Sequence, residues 1–180
     1  NTLGTLLETV SRLITFVGDL LNVTRLEEGR YGLTITEKSP ESLIRSIAKH
    51  FEQAAQSAGI TFSLAMSPEP LSTFPFDEQS LTIILENLLD NAIKYTRRGG
   101  TVSLEVTEHA TEMVFVVRDT GIGIPTDQTV KMFTKFFRSA AAQRMHPNGA
   151  GLGLYLTKSL IERQRGTLTF ESVAGKGTTF

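Results

Sequence analysis

The sequence contains no cysteine. Disulfides, thiolate metal centres and a cysteine nucleophile are therefore excluded, and a reducing compartment is compatible with that absence. It also lacks an excess of either charge. Lys plus Arg is 18 and Asp plus Glu is 19, a net charge of −1. Nothing in this balance marks a nucleic-acid or anionic-membrane partner, although a local basic pocket can hide inside a neutral total. No run approaches the roughly 20 apolar residues of a membrane span. No signal peptide, internal repeat or low-complexity segment stands out. What is present is 180 residues, 40% hydrophobic and 21% charged, enough for one folded domain with an attached element and unlike a disordered chain. The chain begins and ends inside patterned sequence. Thr178-Thr179-Phe180 reads as a strand cut off in mid-course, so the expectation is a piece of a longer protein, with any membrane segment outside it.

Residues 3 to 28 predict a long helix. Apolar residues recur in sevens: Leu3, Val10 and Val17; Leu6, Leu13 and Leu20; Leu7, Ile14 and Leu21. Three filled heptad positions suit a helix in a bundle better than the two-position seam of a coiled coil. Gly29 supplies its stop. The face must be covered either by the chain's own domain or by a partner helix or second chain. Leu33 to Glu37 alternates as a short strand. Ser39-Pro40-Glu41 opens a second helix, with Ser as cap and Pro in the first turn, running to about Ser57 before Gly59. Strands are expected at Ile60 to Met66, Leu71 to Phe74, Thr101 to Thr107 and Met113 to Arg118. Asp77 caps a third helix with Leu81, Ile84, Leu85, Leu88 and Leu89 on one face. Asp119 to Gly151 is long, polar and glycine-punctuated, a composition typical of a functional or mobile segment. Leu152 to Arg163 is a helix. Strands at Thr167 to Glu171 and after Gly177 close the chain. The fold class expected is α/β, a two-layer sandwich of a mixed β-sheet and helices preceded by one long bundle helix.

Three stretches are candidates for chemistry, and a fourth closes the set. In the third helix, Asn87 and Asn91 stand four apart and share a face. Asn is a poor helix-interior residue, so the pair is either part of a polar solvent face with Glu86, Asp90 and Lys94, or a source of amide oxygen for a hard cation with Lys94 near phosphate. Asp119-Thr120-Gly121-Ile122-Gly123-Ile124 follows an apolar strand. It is either an ordinary Asp-x-Gly turn or a carboxylate placed for an exocyclic amine, beside glycines that admit a flat ligand. Gly149-Ala150-Gly151-Leu152-Gly153-Leu154 runs into a helix start, where exposed N–H groups and the dipole favour an anion. It has neither the P-loop spacing nor a dinucleotide-site context, and a hinge loop is the alternative. Gly175-Lys176-Gly177-Thr178-Thr179-Phe180 taken alone is a turn entering a strand.

In this order the four stretches resemble the sensor histidine kinases, within the GHKL superfamily shared with gyrase-type and MutL-type ATPases and heat-shock chaperones. Asn87 to Tyr95 looks like the N box, Asp119 to Ile124 the first glycine box, and Met132 to Arg138, with Phe133, Phe136 and Phe137, the F box. Gly149 to Leu154 looks like the second glycine box, with Ala150 where Thr is more usual, and Gly175 to Phe180 the last. Asp19-Leu20-Leu21 and Arg25-Leu26-Glu27-Glu28-Gly29 resemble the second helix of the dimerisation and phosphoacceptor hairpin. The implied division is residues 1–30 for that partial hairpin and 31–180 for a Bergerat-type catalytic domain with a truncated last strand. The resemblance implies ATP and Mg²⁺ as cofactors, with Asn91 on the metal and Asn87 beside the triphosphate. Lys94 would reach phosphate and Tyr95 would pack near the adenine or ribose. Asp119 would accept from the adenine amino group, with Gly121, Gly123 and Ile124 lining the base. Gly149, Gly151, Leu152, Gly153 and Leu154 would border the phosphates, Thr178 would line the site, and a lid between Pro125 and Ala150 would close over it. Lys135 and Arg138 are candidates for phosphate contact. Phe137 belongs to the lid's packed base together with Phe133 and Phe136. Asn87, Lys94 and Arg138 are the candidate catalytic residues.

His50, His109 and His146 do not stand in the family's acceptor motif, so the acceptor histidine is expected upstream, with no chemistry assigned to these three. Hydrolysing relatives carry Glu four residues before the metal-binding Asn; here that position is Asn87, and an amide cannot take a proton from water. Glu86 points about 100° around the helix. The resemblance thus implies phosphoryl transfer to an imidazole brought from outside, through positioning and charge neutralisation. The implied partners are the upstream phosphoacceptor helix, a response-regulator receiver domain and a second copy in a homodimer, with no nucleic acid. The implied place of the catalytic portion is the cytoplasm, whether or not the intact protein is membrane-anchored. A non-catalytic nucleotide-binding module would have lost the metal or glycine residues. A clamp or chaperone ATPase or an anti-sigma serine kinase would lack the leading helix, and a pure dimerisation module would explain residues 3 to 28 alone.

Overall fold

In the computed structural model, residues 2–67, 69–147 and 149–180 are described, with side chains in the first helix described at residues 6 and 10 and from 13 onward. Leu3 and Leu7 of the heptad pattern lie outside the described side chains. The first helix, α1, spans Thr2–Glu27. Gly29 then adopts φ 68°, and Arg30 N–H donates to the Arg25 carbonyl at 2.8 Å. This is the left-handed stop that glycine makes cheap. The apolar face does not pack on the chain's own domain. Leu13 and Ile14 are 63% and 68% exposed, and Val10, Val17 and Leu21 are about half exposed. Among the described side chains of α1, Val23 and Leu26 in the last turns are the buried ones, and the Arg163 guanidinium donates to the carbonyls of Leu26 and Tyr31.

The domain that follows is a two-layer sandwich. Strands β2 (Thr61–Ser67), β4 (Thr101–Glu108), β5 (Met113–Asp119), β7 (Gly177–Thr179) and β6 (Glu171–Val173) form one sheet in the order β2-β4-β5-β7-β6. The β2–β4 pair is parallel and the others antiparallel, so the sheet is mixed, as expected. β1 (Ile35–Lys38) and β3 (Phe74–Asp77) make a separate antiparallel pair. Helices α2 (Glu41–Ala58), α3 (Glu78–Tyr95) and α5 (Gly153–Arg163) cover the sheet. In α2, Ile44, Ile47, Phe51 and Ala55 recur at helical spacing and are buried. In α3, Leu81, Ile84, Leu85, Leu88, Leu89 and Ala92 do the same. They meet Val102, Leu104 and Val106, which alternate along β4 on its inward face. Burying each large aliphatic side chain stabilises by roughly 1.5–3 kcal/mol, so this seam holds the domain together.

Several boundaries differ from the expectation. Thr167 to Phe170 is not strand; β6 begins at Glu171. Glu171 stands opposite Thr179, so Thr167 to Thr169 would need partners in register beyond Phe180. The strand expected at Leu71 to Phe74 lies at Phe74–Asp77. Helix α2 begins with Pro40 at the N-cap position, which has no side-chain bond. Ser39, one residue earlier, accepts from Glu41 N–H of the first turn at a long 3.3 Å and also donates to the Leu71 carbonyl. The polar stretch after β5 contains a 3₁₀ turn at Thr126–Lys131 and a short helix α4, Ala140–Met145, capped by Ser139.

Candidate nucleotide site

The site forms where the C-terminal end of α3, the end of β5, the β6–β7 turn and the start of α5 converge. α3 is set by its cap. The Asp77 carboxylate accepts from Ser80 N–H at 2.7 Å and from Thr34 N–H at 2.8 Å. Burial pushes this carboxyl up, but the Ser80 hydroxyl, those two N–H groups and the charge of Lys38 together outweigh it and leave it below the ordinary carboxylate range. The helix ends at Tyr95, whose carbonyl accepts from Ile122 N–H at 3.0 Å. That bond joins the N box to the first glycine box. A Cβ on Gly121 would stand 2.4 Å from the same carbonyl. A Cβ on Gly123, at φ 61°, would stand 2.0 Å from the Val173 carbonyl. The backbone packing of this turn therefore requires glycine at both positions, whatever ligand approaches it.

Asp119 closes β5 and is buried. Its Oδ1 accepts from Gly121 N–H at 2.7 Å and from Thr178 N–H at 3.2 Å. Both bonds fall on one oxygen, leaving Oδ2 to accept from an incoming donor such as an exocyclic amine. Burial raises the Asp119 carboxyl above its ordinary range, and the two N–H bonds hold the rise in check. Ser172, which the sequence reading did not single out, supports the same corner. Its hydroxyl accepts from Ile124 N–H at 2.8 Å and lies 2.9 Å from the Thr178 hydroxyl. A lone Ser on a short edge strand carries no pattern by which sequence could mark it.

Asn87 and Asn91 are both half-buried on α3, whereas Glu86 is exposed. Asn87 turns toward the second glycine box: its amide lies 3.4 Å from the Gly153 carbonyl, and a Cβ on Gly153 would stand 3.2 Å from its oxygen. Asn91 makes no side-chain hydrogen bond among the described residues, so its amide oxygen is open to a hard cation. No cluster of three or more His, Cys, Asp or Glu side chains suited to a metal occurs among the described residues. This donor set fits Mg²⁺, which takes one or two protein oxygens and completes its shell with phosphate and water. No side chain caps α5, so the N–H groups of its first turn, beginning at Gly153 and Leu154, remain available for an anion. Leu152 and Leu156 are fully buried beneath it.

The candidate cations are placed differently from one another. Lys94 pairs with Asp90 one turn away. Asp19 of α1 stands near both, and its carboxyl is raised by burial and by Asp90 against the pull of Lys94. Lys135 pairs with Glu27 of α1, and its ammonium lies 5.4 Å from the centre of the Tyr155 ring. The hydrogen bond to Glu27 holds the lysine above its ordinary range. The Arg138 guanidinium donates to the carbonyls of Ala142, His146 and Pro147 and lies about 3.0 Å from where a Gly149 Cβ would be. Lys135 and Arg138 are thus engaged by protein acceptors rather than gathered at the start of α5. At the lid's base, Phe136 N–H donates to the Gly151 carbonyl at 2.9 Å. Phe133 packs edge-on against Phe170, and Phe137 is half-buried. His50 is exposed on α2.

Residues 76–180 match the family described as histidine kinase-, DNA gyrase B- and HSP90-like ATPase. The circadian input-output histidine kinase CikA of Synechococcus elongatus is 34% identical over 169 residues, 93% of this chain and 22% of that protein. The sensor protein SrrB of Staphylococcus aureus is 29% identical over 178 residues, 99% of this chain and 30% of that protein. The chain thus spans under a third of the length of these relatives. Among solved structures, full-length ShkA in complex with AMPPNP superposes with a TM-score of 0.81 at 30% identity, covering 96% of this chain and 35% of that one. The catalytic domain of the histidine kinase ThkA superposes at 0.71 with 27% identity, covering 82% and 95%. The ThkA chain solved with the response regulator TrrA superposes at 0.73 with 26% identity, covering 96% and 47%. The boxes, their convergence and these likenesses agree: the chain belongs to the histidine kinase-, DNA gyrase B- and HSP90-like ATPase family, as an ATP-binding catalytic domain of the sensor histidine kinase kind.

Proposed function

We propose that this domain binds Mg²⁺-ATP and transfers the γ-phosphoryl group to a histidine upstream of Asn1, for passage to a receiver-domain aspartate. One observation carries the choice of transfer over hydrolysis. The residue four before Asn91 is Asn87, half-buried and turned to Gly153, while Glu86 is exposed on another side of α3. No carboxylate is thus placed there to take a proton from water. Asp119 orients the adenine through its amino group, and Gly121, Gly123, Ile124 and Thr178 shape that pocket. Tyr95 packs beside the base or ribose. The start of α5 and Lys94 take phosphate oxygens, and Asn91 would hold the metal, which when bound neutralises phosphate charge. Lys135 and Arg138 join only by leaving Glu27 and the lid carbonyls. Rate enhancement would then come from positioning and electrostatics.

The uncovered face of α1 supports a further part of this reading. We assign residues 1–30 to a helical hairpin completed by the upstream acceptor helix and by a second copy, and 31–180 to catalysis. No helix among the described residues is long and apolar enough to cross a membrane; the catalytic portion is placed in the cytoplasm by its need for ATP. The test is incubation of this chain with Mg²⁺ and γ-labelled ATP, beside a longer chain that includes the preceding helix. Acid-labile label on the longer chain with little free phosphate is the expected result. Rapid phosphate release without protein label would mean a hydrolase and would overturn the reading of Asn87.

A further inference from the structure

The lid carries a residue whose contacts the nucleotide chemistry does not use. His146 follows α4 in the lid, 52 positions after Lys94, and its Nε2 lies 2.6 Å from the Lys94 carbonyl in the last turn of α3. A carbonyl only accepts, so Nε2 must carry the hydrogen. The imidazole thereby satisfies one of the carbonyls that a helix C-terminus leaves without an internal partner. A second contact agrees with the first: the His146 ring stands edge-on to the Tyr95 ring at 5.8 Å between centres. One side chain of the lid therefore touches two successive residues of the N box.

The rest of the lid is sparsely held. Neither its 3₁₀ turn nor α4 has a buried residue. Arg138 binds the carbonyls of Ala142, His146 and Pro147, so the segment bearing His146 is tied as one piece to the F box. Segments with few buried apolar contacts open locally at small free-energy cost. In such a segment one well-directed bond shifts the open–closed balance measurably.

We propose that His146 is a positioning residue for ATP binding: it latches the Arg138-bound segment of the lid onto Lys94 and Tyr95, holding the lid across the nucleotide site. It touches no reacting atom. The proposal rests on the nucleotide site assigned above, and one control separates the two. Asn91→Ala should abolish Mg²⁺-dependent ATP binding if that site is right, whatever His146 does.

The experiment compares the full chain with His146→Ala and His146→Gln by calorimetric titration with Mg²⁺-ATP and by hydrogen exchange of the lid amides without nucleotide. One hydrogen bond of ordinary net strength predicts a loss of ATP affinity of about two- to tenfold in His146→Ala. The amides of residues 140–146 should exchange faster before any nucleotide is added, which loss of a direct nucleotide contact would not cause. The thermal midpoint should stay unchanged, because no core residue is altered. His146→Gln, whose amide can still donate to the Lys94 carbonyl, should recover part of the affinity. Parental affinity in His146→Ala, or unchanged lid exchange, would overturn the latch while leaving the site intact, provided Asn91→Ala still abolishes binding. Retained binding in Asn91→Ala would overturn the site assignment, and the latch with it.

Discussion

The sandwich and the lid are built on opposite terms. Where α3 and α5 meet the sheet, Leu85, Leu89, Leu104, Leu156 and Leu160 are fully buried. Across the lid, from Pro125 to Ala150, Met132 is the one buried side chain among the described residues. The lid is tied to the rest of the domain by single polar contacts, Phe136 N–H to the Gly151 carbonyl, His146 to the Lys94 carbonyl and Lys135 to Glu27, and by a few ring contacts such as Phe133 on Phe170, while Arg138 binds carbonyls of the lid itself. The difference separates what keeps the domain folded from what captures a ligand. Apolar burial scales with area and supplies the stability. Polar contacts at the rim each contribute little net free energy, so they can be exchanged for ligand contacts without unfolding the domain.

That separation can be tested by substitutions that should move one property and not the other. The largest effect is expected for Asn91→Ala, which should weaken Mg²⁺-dependent ATP binding by on the order of a hundredfold or more, since the metal loses its protein oxygen. Its thermal midpoint should match the parent's, because the amide has no protein partner among the described residues. A midpoint that fell with affinity would break the separation. Leu85→Ala is the converse: a fully buried leucine cut to alanine should lose about 2–5 kcal/mol in urea titration. Val130→Ala in the lid, where the side chain is 87% exposed, should change stability by less than about 0.5 kcal/mol.

The glycines sharpen the comparison. Gly123→Ala would force a Cβ to 2.0 Å from the Val173 carbonyl at φ 61° and should cost about 2–4 kcal/mol, from strain and from backbone that must move. Gly175→Ala meets open space at φ 78° and should cost only about 1 kcal/mol, the conformational penalty alone. Equal losses in the two variants would mean that the close approach of the turns does not matter.

Asp119 bridges the two regions, buried like the core and proposed, like the rim, to meet a ligand. Asp119→Asn should weaken ATP binding about tenfold, because an amide donor would face the adenine amino group if its oxygen keeps the two N–H bonds. Stability at neutral pH should not fall. The folded-state pKa is raised by burial, so the ionised group costs stability above that pKa. As pH falls through the raised pKa, the folded state takes up the proton and the cost is relieved. The parent should therefore gain stability relative to Asp119→Asn on acidification while losing ATP affinity. Parallel loss of both properties in the parent would contradict the assignment.

Much of this was legible in sequence because it rests on local pattern. The spacing of Leu81, Ile84, Leu85, Leu88 and Leu89 marked the buried face of α3, and Asp77 marked its start. The order of the boxes pointed to the family before any coordinates. Less legible were segments whose state depends on a distant partner. Thr167 to Glu171 alternates like a strand, yet only Glu171 finds its place in register. Ser39 has the composition of a cap, and what sequence could not show is that its hydroxyl also donates to the Leu71 carbonyl 32 positions on.

Sequence by itself determined the α/β class, the helical faces and the glycine-marked turns. These follow from periodicity and side-chain chemistry, which are properties of short stretches, whereas the roles toward adenine, metal and phosphate were implied by the family resemblance. Tertiary structure alone decided which of those residues meet. It pairs Asp119 with Thr178, and Asn87 with Gly153. It turns Lys135 to Glu27 and Arg138 to the lid carbonyls, and brings Ser172 under Ile124 and His146 onto Lys94. The reason is physical: apart from those of Arg138, which reach 4 to 9 positions along the lid, these contacts join groups 48 to 108 positions apart. Their geometry is set by how the layers pack, and no local pattern encodes that.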